Sequence, residues 1–198
     1  MYPYIALNDL STPQRPSFPK YCIVLGMESE KINIAYIDGA NLDKALKLRL
    51  QWTLDYARFR VWLKEKYQVE RAYIFIGLMP KYKNLYTYLQ DCGFELAFKD
   101  VMYKDGKPKG NCDSDLLMKA SQDLYEGNLN KAVLVASDGD YAPLVKVLKD
   151  KDRLEIILSP APVEKMSVLL KRTGADIAYI QDQRSILEMK KPPMRTAA

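Results

Sequence analysis

The sequence predicts an α/β fold: a mostly parallel central sheet flanked by helices on both faces. Two observations carry this. Ile32-Asn33-Ile34-Ala35-Tyr36-Ile37 and Ala132-Val133-Leu134-Val135-Ala136 are almost unbroken apolar runs. A strand buried on both faces reads that way, whereas a half-exposed strand alternates. Such runs also take turns with helical segments opened by Asp or Ser and closed by Gly. That is the punctuation of right-handed β-α-β crossovers.

In chain order the reading places a strand at 31–37, helical segments near 41–50 and 54–67, and a strand at 70–77. A helix at 81–92 stops at Gly93, a strand follows at 94–99, and 100–111 is a polar loop. Helix 113–126 stops at Gly127, strand 131–136 leads to helix 140–150, and strand 153–158 leads to helix 163–172, stopped by Gly174. Strand 175–180 and a last helix near 182–189 complete the series. Residues 1–30 carry Pro3, Pro13, Pro16 and Pro19 without a sustained period, and read as an irregular arm with a short strand near 21–25. Residues 190–198, with Pro192-Pro193, read as a tail, so the domain is expected over 31–189.

Composition narrows the chemistry. The chain has 198 residues, 48% hydrophobic and 28% charged, as a globular domain requires. It holds no apolar run of about 18 residues, and no basic segment followed by a long apolar one, so neither a membrane span nor a secretory leader is expected. Cys22, Cys92 and Cys112 lack metal-site spacing and cannot all pair, which favours a reducing, cytoplasmic setting. There is no histidine. Ser-His-Asp and Cys-His catalysis and imidazole zinc sites are therefore excluded. A net charge of +5 is compatible with an anionic partner without demanding one.

What remains is carboxylate. Asp38 follows the first strand and leads into Gly39-Ala40-Asn41; Asp113-Ser114-Asp115 opens a helix; Ser137-Asp138-Gly139-Asp140 follows the strand at 131–136. Capping accounts for a single Asp at a helix start, and Asp113 and Asp138 or Asp140 are so placed. One cap needs one side chain, however, and two of these sites supply a pair, while Asp38 precedes no helix expected before Asn41. Carboxylates gathered beyond strand ends repel one another unless a cation lies between them. All-oxygen ligands suit Mg2+ or Mn2+, which activate water and offset charge on a phosphate.

Three segments resemble the NYN domain of the PIN-like nucleases, and within it the LabA-like group. They are Tyr36-Ile37-Asp38-Gly39-Ala40-Asn41-Leu42, Lys109-Gly110-Asn111-Cys112-Asp113-Ser114-Asp115-Leu116 and Val133-Leu134-Val135-Ala136-Ser137-Asp138-Gly139-Asp140-Tyr141-Ala142-Pro143-Leu144-Val145. The resemblance spans roughly 31–181 and implies a PIN-like Rossmannoid fold with Mg2+- or Mn2+-dependent hydrolysis of RNA, single-stranded or structured. It implies Asp38, Asp113 and Asp138 as metal-binding and catalytic carboxylates, Asp140 as a fourth or accessory ligand, and Asp115 as a further candidate. Asn41 would hold the first loop or touch the ion's water shell, and Ser137, Lys107 and Lys109 would meet substrate. Two positions depart from the family pattern. Ala136-Ser137-Asp138 stands for the usual Ser-Gly-Asp, and Tyr141 for the commoner Phe.

Lys99, Lys104, Lys107 and Lys109, with Gly106 and Gly110, make 99–111 either a phosphate-holding loop or a solvated one. Trp52, Tyr56, Tyr82 and Tyr86 lie among basic residues, where core packing competes with base stacking. Two other functions compete with this one. Asp138-Gly139-Asp140-Tyr141 also resembles the aspartyl-phosphate motif of haloacid-dehalogenase-like phosphatases, but that motif opens its domain and too little chain follows here. A non-catalytic RNA-binding or regulatory scaffold is the main alternative, and self-association is compatible with either.

Overall fold

The computed structural model describes residues 31–100, 102–104, 107–109 and 112–190. The N-terminal arm with its expected strand near 21–25, Gly106, Gly110-Asn111 and the tail from 191 lie outside the described residues.

The elements run β1 Ile32–Asp38, α1 Gly39–Ala45, a wide π turn at Leu46–Leu50, α2 Tyr56–Tyr67 and β2 Val69–Leu78. Next come α3 Lys83–Asp91, β3 Glu95–Asp100, β4 Met102–Lys104, β5 Lys107–Lys109 and α4 Asp113–Glu126. Then follow β6 Leu129–Val135, α5 Ala142–Asp150, β7 Leu154–Ser159, α6 Val168–Arg172, β8 Ile177–Tyr179 and α7 Arg184–Leu187.

Six strands form one sheet in the order β3-β2-β1-β6-β7-β8. Every neighbouring pair is parallel. Successive strand residues feed opposite layers. Ala35, Ile37, Val133 and Val135 pack with Leu42, Phe59, Leu63, Leu89 and Leu187 from α1, α2, α3 and α7. Ile34, Tyr36, Leu134 and Ile157 pack with Leu116, Leu144, Val145 and Leu170 from α4, α5 and α6. Burial of each large apolar side chain contributes about 1.5–3 kcal/mol. Two covered faces explain why the strand sequences do not alternate. No helix among the described residues is long and apolar enough to cross a membrane.

Several expected boundaries shift, for local reasons. α1 starts directly after β1, so Asp38 does cap a helix: the Asn41 amide donates to its Oδ1 at 2.9 Å. Gly39 permits the abrupt turn, because a Cβ there would stand 2.8 Å from the Phe75 carbonyl oxygen. Asp113 is not a cap. Cys112 holds that position with a helical backbone and no side-chain cap bond. The helix expected over 163–172 divides into a 3-10 turn at Val163–Lys165 and the short α6, because Met166 is extended and Ser167 caps anew. The polar loop contains a hairpin, β4 against β5, with Tyr103 opposite Pro108. Its lysines had masked any strand-like pattern.

Candidate metal centre

The sheet order reverses between β1 and β6: the chain leaves β1 toward β2 and β3, and from β6 builds out the other way. Crossovers diverge there and open a crevice beyond the carboxyl ends of the two strands. Asp38 closes β1 at that crevice, and Ser137-Asp138 follows β6. The start of α4 supplies Asp113 from the adjoining layer.

One carboxylate oxygen each of Asp113, Asp138 and Asp140 lies within 4.8 Å of the other two. Asp113 is half-buried, whereas Asp138 and Asp140 are exposed. Mg2+ ligands sit at about 2.0–2.1 Å, so two oxygens on one such ion are separated by up to about 4.2 Å. The trio therefore fits a hydrated divalent ion after a small closure, and its all-oxygen chemistry matches such an ion rather than zinc. Asp138 also accepts from the Asp140 amide at 3.3 Å, capping the turn Gly139–Tyr141. Capping and cation binding use different lone pairs of the same carboxylate, so both readings of this Asp hold geometrically.

Asp38 stands behind this trio rather than within it. It is 5% exposed and is joined to Asp113 by the fully buried Tyr141, whose hydroxyl lies 3.0 Å from Asp38 Oδ2 and 2.6 Å from Asp113 Oδ1. A phenol carries one hydrogen, so one proton serves two carboxylates. Burial pushes the Asp38 carboxyl above its ordinary range and the Asp113 charge adds to the rise, while hydrogen bonds from Asn41 and Tyr141 oppose it. Burial, followed by the charge of Asp38, pushes the Tyr141 phenol far up, so it stays protonated. Burial likewise raises the Cys112 thiol, aided by the Asp38 charge, which makes it a poor nucleophile.

Asn41 ties the two strand ends together. Its Oδ1 accepts from the Ser137 hydroxyl at 2.8 Å and the Ser137 amide at 3.2 Å. Ser137, expected to meet substrate, is buried and spends its hydroxyl on this link. Asp115 is drawn away: Lys99 Nζ lies 3.2 Å from its carboxylate and 3.1 Å from the Ser114 hydroxyl. Lys107 and Lys109 belong to β5, three residues or more before α4. Of the aromatics, Trp52 and Tyr86 are core, and Tyr56 meets Tyr88 and Phe94 edge-on. Tyr82 remains part-exposed, with the Lys81 ammonium 4.9 Å from its ring centre.

Two features escaped the sequence reading. The Tyr141 hydroxyl had a signal, since it is the difference from the commoner Phe. Asp123 had one too, being a charge in register with the buried Leu116 and Ala120 of α4. It is 1% exposed and accepts from Tyr36 at 2.9 Å and Lys119 at 2.8 Å.

Comparison with known proteins agrees with this architecture. A structure of a protein of unknown function, VPA0982 from Vibrio parahaemolyticus RIMD 2210633, superposes with a TM-score of 0.62 at 22% identity. The match covers 81% of this chain and 98% of that one, and at this identity it bears on the fold. No curated protein sequence matches the chain. The family model of the NYN domain, a PIN-like nuclease fold, matches residues 33–177. With that match covering most of the sheet, the crevice and all three acidic segments, the chain belongs to the NYN domain family.

Proposed function

We propose that this protein is a divalent-metal-dependent ribonuclease that hydrolyses phosphodiester bonds of single-stranded or structured RNA. The observation that carries the reading is the joint reach of Asp113, Asp138 and Asp140 at the switch point of the sheet. These three would hold Mg2+ or Mn2+. When bound, the ion supplies water activation and offsets charge developing on the phosphate. Asp38 and Tyr141 hold Asp113 in place through the shared hydroxyl. Asn41 positions the loop that carries Asp138 through its bonds to Ser137. Lys107 and Lys109, in the hairpin before α4, would meet the RNA, and Asp115 steadies Lys99. The thiols of Cys92 and Cys112 are free, which suits a cytoplasmic site of action.

One observation favours a scaffold that binds RNA without turnover. The Tyr141 hydroxyl bridges Asp38 and Asp113 by hydrogen bonds, so these two carboxylates are held together through a proton. Cleavage assays separate the two readings. Wild type should cut RNA with Mn2+ or Mg2+ and be silent in chelator, while Asp113→Asn and Asp138→Asn should lose at least about 100-fold, the scale of removing one electrostatic catalytic group. RNA binding with no metal-dependent cleavage, or equal cleavage by all three proteins, rejects the nuclease.

A further inference from the structure

Beside the acidic trio, on the side of α1, the turn bearing Asp138 borders a second pocket of about 280 Å3. Its wall includes three cationic side chains, Lys44, Arg49 and Lys165, drawn from α1, the π turn and the turn before α6. None of the three makes a hydrogen bond or ion pair among the described residues. Lys47, two residues before Arg49, is by contrast neutralised by Asp43 at 2.9 Å. Asp138 is the acidic residue on this wall, so cations outnumber carboxylates there three to one.

The frame around these cations is fixed. Ser137 accepts from the Ser167 amide through its carbonyl at 3.2 Å and is held by Asn41 through its amide and hydroxyl. Three chain segments are thereby locked to one another. The side-chain Nδ2 of Asn41 has no partner among the described residues, and Asn41 lines the same pocket.

The π turn decides which side chain joins this wall. In an α-helix of 3.6 residues per turn, residue 48 would stack over residues 41 and 44–45. Here the Gln51 amide reaches back to the Leu46 carbonyl at 2.8 Å, a span of five residues that widens the turn. The extra residue carries Arg49 into that row, while Leu48 stands 70% exposed. Single wide turns of this kind recur at functional sites, where they re-aim side chains.

We propose that this pocket is a phosphate subsite: Lys44, Arg49 and Lys165 hold one phosphate group of the RNA strand beside the acidic trio. The inference rests on RNA being the partner, as proposed above, and it supplies what a cluster of carboxylates lacks for holding a polyanion. The phosphate is either an internal phosphodiester or a chain-terminal monophosphate. Both present the same tetrahedral anion to a fork of cations.

The test is a salt series of RNA binding by the full chain in chelator, read by fluorescence anisotropy, with oligoribonucleotides carrying or lacking a terminal phosphate. On single strands each neutralised phosphate contributes about 0.7 to the log–log salt slope, so the combined Lys44→Gln, Arg49→Gln and Lys165→Gln variant, which releases that one phosphate, should lose about 0.7. Lys151→Gln, just past α5 at the opposite end of the sheet, should leave the slope unchanged. The exchange Leu48→Arg with Arg49→Leu conserves charge and composition on two exposed positions, and should lose as much slope as Arg49→Gln alone. A terminal phosphate that strengthens binding of wild type but not of the triple variant identifies the end of the chain as occupant; indifference to it identifies an internal phosphate. A wild-type slope in both the triple variant and the exchange overturns the subsite, even if RNA is cleaved. Binding with the expected slope losses but no cleavage in Mn2+ supports the subsite while rejecting the nuclease. Absence of RNA binding by wild type overturns both.

Discussion

Replacing Tyr141 with Phe removes one oxygen atom and leaves the buried ring in place. The change therefore isolates the proton shared by Asp38 and Asp113. The shorter contact, 2.6 Å to Asp113, is a hydrogen bond to a charged group, worth about 1.5–3 kcal/mol. Its loss also leaves two neighbouring carboxyl groups facing each other across an apolar edge. A cost of about 2 kcal/mol follows, and in a domain of this size it lowers the melting temperature by roughly 4–8 °C. A divalent ion on Asp113 would offset the same negative charge, so the deficit should shrink when Mn2+ is added. The assay is thermal unfolding of wild type and Tyr141→Phe, followed by circular dichroism in chelator and in a Mn2+ series, where ligand linkage raises both curves. Melting of the variant within about 1 °C of wild type in chelator would refute the bridging role. A deficit that Mn2+ leaves unchanged would refute the shared site.

Other perturbations probe neighbouring parts of the fold. Asp38→Asn should melt higher than wild type at neutral pH in chelator. Burial raises the folded carboxyl above its ordinary 3.8, so the stability linked to its protonation is complete below that value and lost as pH climbs through the folded one. The gap between variant and wild type must therefore widen as pH rises from about 4; a constant gap contradicts the assignment. Asp123→Ala strands the Tyr36 hydroxyl in the core and should cost about 3 kcal/mol in urea unfolding, the lower end for broken buried pairs, because Lys119 can reach water. Tyr36→Phe, which keeps the Lys119 pair, should cost about half as much, and equal costs would show that the ion pair contributes nothing. Gly39→Ala forces a methyl against the Phe75 carbonyl and the Ile74 side chain, and should destabilise by about 1–3 kcal/mol. Wild-type stability in that variant would mean that α1 can swing away from β2.

The alternation of strands and helices was legible because it is written in short-range patterns: apolar runs, Asp or Ser at helix starts, and Gly93, Gly127 and Gly174 with left-handed backbones at helix ends. The acidic segments were legible as well, since each lies within a few residues of a strand end or helix start. Harder to read were turns whose composition contradicts their geometry. Lys104 and Lys107 hid a hairpin, and Leu46-Lys47-Leu48-Arg49-Leu50 reads as ordinary helix although it winds as a π turn. Nothing local distinguishes those windings.

The order of residues along the chain determined that carboxylates would gather at the crevice, because parallel crossovers return every strand's carboxyl end to the same edge of the sheet. Which of them face one another was decided only by lateral strand order and by the rotation of each helix on its layer. Those are set by packing of Tyr36, Leu116, Tyr141 and their neighbours from distant segments. That packing puts Asp140 with Asp113 and Asp138, and Asp38 behind a phenol. It turns Asp115 toward Lys99 and turns Arg49, not Leu48, into a pocket beside the trio. Side-chain direction at these points depends on contacts more than 80 residues apart, such as Ser137 with Asn41, and no window of sequence contains both partners.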